Sequence, residues 1–113
     1  MRFRIPAGIS AEETRIAGAI FRRKGKKRAI QVEVLASDHE IDGRRVRRMV
    51  KGLIEDHGLP ILSSTGRFSG YYIPGDVGEV KACIKSLRRR AASCLGRANT
   101  LEKALRMSEQ LEI

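Results

Sequence analysis

Tryptophan is absent from this 113-residue sequence, and three phenylalanines with two tyrosines leave aromatics at 4% of the chain. That scarcity argues against a surface that stacks the successive bases of a single-stranded RNA or DNA. Histidine occurs twice, at His39 and His57, and cysteine twice, at Cys83 and Cys94. Neither cysteine has a C-x-x-C partner, and neither histidine has a cysteine or carboxylate at metal or triad spacing. No glycine-rich loop follows a strand in the manner of a nucleotide site, since Gly66, Gly70 and Gly75 suit a hairpin better. With so short a chain, these absences predict a protein that is not an enzyme and that carries no cofactor or metal. Nowhere do apolar residues run for the roughly 18 to 20 positions that cross a bilayer. The start, Met1-Arg2-Phe3-Arg4-Ile5-Pro6, lacks the apolar stretch of a signal peptide, so a cytoplasmic location is expected.

What is abundant is positive charge. Lysine and arginine number 23 against 13 acidic residues, giving a net charge of +10 and a pI near 10.4. Such a chain favours polyanions through counterion release, and nucleic acid is the leading partner class. An anionic membrane surface would also attract it, but the basic stretches lack the broad aromatic or leucine face that an interfacial helix buries. Apolar residues at 42% and charged residues at 32% suit one small folded domain with a thin core and one further element.

Ser10-Ala11-Glu12-Glu13 reads as a capping box, in which hydroxyl and carboxylate each satisfy a backbone N–H, so a first helix is expected from Ser10 to about Gly25. Ile16, Ala17, Ile20 and Phe21 share one of its faces. The run Arg22 to Arg28, which includes Lys26, Lys27 and Arg28, reads equally as a solvated loop or as a phosphate-contacting patch. Residues 29–36 carry both a strand alternation (Ile30, Val32, Val34) and a short helical pattern (Ile30, Val34, Leu35), with helix favoured. Ser37 to Ile41 reads as a polar turn. Asp42 then caps a strongly periodic helix over 42–57, whose stripe is Val46, Met49, Val50, Leu53 and Ile54. Opposite the stripe lie Arg44, Arg48 and Lys51, with Arg45 and Arg47 on the flanks.

After Gly58 the order strand, glycine-containing loop, strand predicts a β-hairpin with Pro60 near the start of its first strand. Tyr71 and Tyr72 should take opposite strand faces, one in the core and one exposed. Asp76 with Glu79 caps a long helix that runs to about Glu112. Its seam, Val80, Ile84, Leu87, Ala91, Cys94, Ala98, Leu101 and Leu105, repeats every 3.5 residues as a coiled coil does, with a break near Gly96 to Thr100 left open. On one helix Cys83 and Cys94 stand about 16 Å apart at 1.5 Å per residue, too far for a disulfide within the chain.

The expected fold class is α+β, mostly helical: three helices and a hairpin over 1–75, then a helical element over 76–113 for dimerisation or packing. The residues from Asp42-Gly43-Arg44-Arg45-Val46-Arg47-Arg48-Met49-Val50-Lys51-Gly52-Leu53, then Gly58-Leu59-Pro60-Ile61-Leu62 and Gly66-Arg67-Phe68-Ser69-Gly70-Tyr71-Tyr72-Ile73-Pro74, carry a resemblance. They look like the N-terminal DNA-binding domain of biotin-repressor-like winged helix-turn-helix proteins and like small phage or prophage regulators of that type. The resemblance covers about residues 10 to 75, with a weaker second helix and without a ligase domain downstream. It implies a recognition helix at 42–57 and a wing at 64–70.

On this reading Arg44, Arg45 and Arg48 are candidates to read base edges, because a guanidinium bonds guanine O6 and N7 bidentately. Arg47 and Lys51 are candidates for phosphate contact, and Arg67 at the wing tip for phosphate or minor groove. Phe68 is expected to pack beneath the wing. The function expected is sequence-specific binding of double-stranded DNA in transcription regulation, by a homodimer joined through residues 80–105. The alternatives are a protein-interaction or replication-accessory module of phage or plasmid type, with Arg88-Arg89-Arg90 docking an acidic partner, and an RNA-binding protein.

Overall fold

The structure, a computed structural model, describes residues 3–111, with Phe68 described by its backbone alone. The first helix, α1 (Ala11–Phe21), opens on Ser10, whose hydroxyl accepts the Glu13 N–H at 3.1 Å while the Ser10 N–H donates to the Glu13 carboxylate at 3.3 Å. Both arms of the capping box are therefore made. The helix stops at Phe21, short of Gly25, because the chain beyond it turns to strand-like pairing. The Ile73 N–H donates to the Arg23 carbonyl at 2.9 Å, and the Gly25 N–H donates to the Ile73 carbonyl at 2.8 Å. A single 3-10 turn, Lys26–Arg28, follows.

The segment with two readings contains both structures. Ile30 exchanges two backbone bonds with Tyr71, each 2.8 Å, and one residue after Gln31 helix α2 (Val32–His39) begins. This α2 continues through the expected polar turn, and the chain leaves it at Glu40 in a left-handed conformation, φ 54°. Helix α3 (Gly43–Glu55) starts at Asp42, whose carboxylate accepts the Arg44 N–H at 3.0 Å. It closes two residues before the expected end at 57. Gly58, at φ 63°, donates to the Ile54 carbonyl, a conformation that few residues other than glycine adopt cheaply.

Strands β1 (Leu62–Ser64) and β2 (Gly70–Tyr72) pair antiparallel, Leu62 with Tyr72, Ser63 with Tyr71 and Ser64 with Gly70, around a 3-10 turn at Gly66–Phe68. Ile30 occupies the other edge of β2 at Tyr71. Gly70 is what permits this approach: its φ is 132°, and a Cβ there would lie 2.3 Å from the Ile30 carbonyl oxygen.

Ile16, Ala17 and Ile20 of α1, Leu35 of α2, and Val46, Val50 and Leu53 of α3 converge with Ile30, Leu59, Ile61 and Ile73 in one buried core. Full burial of an aliphatic side chain of this size contributes about 1.5–3 kcal/mol. Ile54, expected in the stripe, is 37% exposed at its edge. Of the tyrosines, Tyr72 is the core residue and Tyr71 is half-buried rather than exposed, since the 30–31 backbone covers its strand edge.

Helix α4 (Val77–Leu111) begins at Asp76, which accepts the Glu79 N–H at 2.9 Å, and runs unbroken past Gly96, where the Thr100 hydroxyl donates to the Gly96 carbonyl at 3.0 Å. None of its described residues is buried. No helix among the described residues is long and apolar enough to cross a membrane. The architecture is thus α+β and mostly helical, with one antiparallel hairpin, and the chain divides after Val80 into two compact units.

Candidate nucleic-acid interface

The outer face of α3 follows from its inner one. Val46, Val50 and Leu53 are 0–1% exposed, which locks the rotation of the helix about its axis. Arg44, Arg45, Arg47, Arg48 and Lys51 are then all exposed. Arg44 and Arg45 stand in the first turn, where the helix macrodipole disfavours cations, and the N-cap Asp42 is the acidic residue that α3 itself sets beside them. Stability by itself would place acidic residues there, as α1 does with Glu12 and Glu13.

The five cations are not equivalent. Arg45 reaches back to α1, its Nη2 lying 2.6 Å from Glu12 Oε1, so its guanidinium is engaged in joining two helices of the domain. Lys51 lies 4.0 Å from Glu55, one turn on, in a solvated pair of small worth. Arg47 leans the other way. It lines an open groove with Gln31, Val32, Ser63, Thr65 and Tyr71, between the start of α2 and the hairpin. Burial raises the Tyr71 pKa above its ordinary value, and the nearby Arg47 charge pulls it partly back. A phenol held neutral, a guanidinium and hairpin hydroxyls make a donor-rich wall able to meet phosphate oxygens, although the Glu33 carboxylate shares the lining.

Lys26, Lys27 and Arg28 are exposed on their 3-10 turn, and that turn contacts the Gly66–Phe68 turn of the hairpin, which carries exposed Arg67. The structure therefore brings the α1–α2 connection and the hairpin tip together, a proximity that chain order hides. The same basic turn shares a depression with Glu79 of α4, whose carboxylate sits close to Gly25 and Gly75. The expectation for Phe68 concerns a side chain outside the described residues.

Sequence reasoning missed three features of this surface. The Arg45–Glu12 pair joins helices that are not consecutive and leaves no local signal. Tyr71 entered only as one of two tyrosines on opposite strand faces, not as a wall of the groove. Glu79 entered as a helix cap, although its side chain faces the basic turn. Gly70 held the one available clue, since a glycine inside a strand signals close backbone approach. Among the described residues no cluster of His, Cys, Asp and Glu could hold a metal ion. Comparison of the chain with protein-family models, with curated proteins and with solved structures finds no match.

Proposed function

We propose that this protein binds double-stranded DNA as a winged helix-turn-helix protein and acts in transcription regulation. In this reading α2 and α3 form the helix-turn-helix, α3 enters the major groove, and the β1–β2 hairpin is the wing. The observation that carries the proposal is the exposed face of α3, where Arg44, Arg47, Arg48 and Lys51 project from a helix whose opposite side is anchored in the core. A helix with side chains is about 10–12 Å across and the major groove about 12 Å wide, so the face and its target match in scale.

Roles divide by surroundings. Arg44 and Arg48 read base edges from the first half of α3. Arg47, with the hydroxyls beside it, and Lys51 hold phosphates. Arg67 with Lys26, Lys27 and Arg28 meets the backbone beyond the groove, since the two turns that carry them adjoin. Arg45 contributes least, because contact with a base would require breaking its pair with Glu12.

The test is fluorescence anisotropy with a mixed-sequence duplex and a matched single-stranded RNA over about 50–200 mM salt, where log K falls with slope near −0.9 per phosphate neutralised. Expected is duplex binding with a steep slope that Arg44→Ala/Arg48→Ala weakens. No duplex binding at low salt, or equal binding by that variant, would overturn the reading. If binding survives those changes and is lost on replacing Arg88, Arg89 and Arg90 by alanine, a module that docks acidic partners replaces it.

A further inference from the structure

From Ile84 onward helix α4 exposes its apolar seam, Val80 alone being half-buried: Ile84 is 42% exposed, Leu87 53%, Leu101 65% and Leu105 60%. The heptad pattern places Ile84, Ala91, Ala98 and Leu105 at a positions and Val80, Leu87, Cys94 and Leu101 at d. The flank that follows each d residue then reads Lys81, Arg88, Leu95, Glu102, Glu109. This row is antisymmetric in charge about Leu95, two cations on one side and two carboxylates on the other.

We infer that α4 pairs with α4 of a second copy of this chain in antiparallel orientation, centred so that the Leu95 side chains meet. In an antiparallel pair like flanks face each other, so Lys81 meets Glu109 of the second copy and Arg88 meets its Glu102, each contact made twice by symmetry. The same register sets Leu87 against Leu105, Ala91 against Leu101 and Cys94 against Ala98 of the second copy, with large residues meeting large or filling the space over small ones, and the outer layer sets Ile84 against Ser108. The other flank, Cys83, Arg90, Arg97, Ala104 and Leu111, brings one like-charge contact, Arg97 with its own copy at the centre.

A parallel pair is poorer on the same residues. It faces the two flanks against each other and retains Arg97 with Glu102 as its complementary contact. It also lays residues 81–97, which hold Lys81, Lys85, Arg88, Arg89, Arg90 and Arg97 and no carboxylate, alongside their own copies. Reversing one helix places that basic half beside residues 95–111, where Glu102 and Glu109 nearly balance Arg97, Lys103 and Arg106, so the repulsion between the two basic halves is relieved. The occupant is therefore a second copy, selected by a flank whose charges complement themselves at two positions when inverted, against one complementary contact in a parallel pair. No residue of the proposed DNA interface takes part in this pairing.

Sedimentation equilibrium of the full chain, with charge-swap variants and mild oxidation, tests it. The chain is expected to sediment as a dimer. Arg88→Glu should weaken association about tenfold, because two symmetry-related attractions become repulsions, and Arg88→Glu/Glu102→Arg should restore it to within about twofold. Arg88 and Glu102 are both exposed, so the swaps leave the fold intact. In the antiparallel register the two Cys94 residues are offset by about 6 Å along the axis at 1.5 Å per residue, and the lateral gap between helices whose axes stand about 8–10 Å apart adds to this, which puts them beyond disulfide reach. Oxidation should then leave Cys94 uncrosslinked. A monomer at about 200 μM, a double variant weaker than the single, or a rapid Cys94–Cys94 crosslink would each overturn the inference.

Discussion

Gly70 joins the hairpin to the α1–α2 connection, and adding a single methyl group there tests how that junction is held. A Cβ at this position would fall 2.3 Å from the Ile30 carbonyl oxygen, 2.5 Å from the Ile30 carbonyl carbon and 2.9 Å from the Gln31 nitrogen. All three are backbone atoms, so no side chain can move aside. Relief requires parting β2 from residue 30, which breaks the two 2.8 Å bonds between Ile30 and Tyr71, each worth about 1 kcal/mol net. The backbone strain of an alanine at φ 132° adds about 1–3 kcal/mol. Gly70→Ala should therefore cost about 3–5 kcal/mol, a large share of the roughly 5–15 kcal/mol that stabilises a small domain. Gly66→Ala is the control, since Gly66 has φ 81° but nothing within 4 Å of its Cβ position, and it should cost about 1 kcal/mol. Urea unfolding followed by tyrosine fluorescence reports the N-terminal unit, because both tyrosines lie in it and tryptophan is absent. If Gly70→Ala lies within about 0.5 kcal/mol of Gly66→Ala, the close approach to Ile30 is not what requires glycine.

Tyr71 links the groove to alkaline stability. Its folded-state pKa is raised above the usual 10.0, so its contribution is intact below about pH 10 and is lost as pH rises through the folded-state value; Tyr71→Phe should flatten that fall, and Arg47→Ala should move the ultraviolet-detected titration higher still. Arg45→Ala should change stability by less than about 1 kcal/mol, because the Arg45 side chain is 58% exposed and solvent screens the pair. It should also weaken duplex binding less than Arg44→Ala or Arg48→Ala, as anisotropy would register. Leu53→Ala, which empties a fully buried site on α3, should cost about 2–5 kcal/mol in the same urea assay. Glu40→Gly relieves a left-handed residue at φ 54° and should raise stability by about 0.5–1 kcal/mol.

Local chemistry made much of the domain legible. Ser10 with Glu13, Asp42 with Arg44, and Asp76 with Glu79 start helices through bonds that span two or three residues, so the sequence alone locates them. The α3 stripe is legible for a similar reason, since Val46, Val50 and Leu53 recur at the helical period. Helix ends were harder. Whether α1 continues past Phe21 depends on Ile73, more than fifty residues downstream, which captures the backbone of Arg23 and Gly25. Residues 29–36 mixed two periods because Ile30 serves a strand edge and Leu35 a helix only five residues later.

The sequence by itself determined where α1, α3 and α4 begin, which face of α3 is apolar, that its other face is basic, and that α4 carries a seam of period 3.5. Each of these depends on neighbours within a turn or two, where spacing maps directly onto geometry. Tertiary structure alone decided which cations share a surface. It turned Arg45 toward Glu12 on α1, set Arg47 beside Tyr71 across from the hairpin, and brought the Lys26–Arg28 turn against the turn that carries Arg67. Those relations join residues some twenty to forty positions apart. They exist only because the buried core and the backbone pairing of Ile30 with Tyr71 hold the intervening elements in one arrangement.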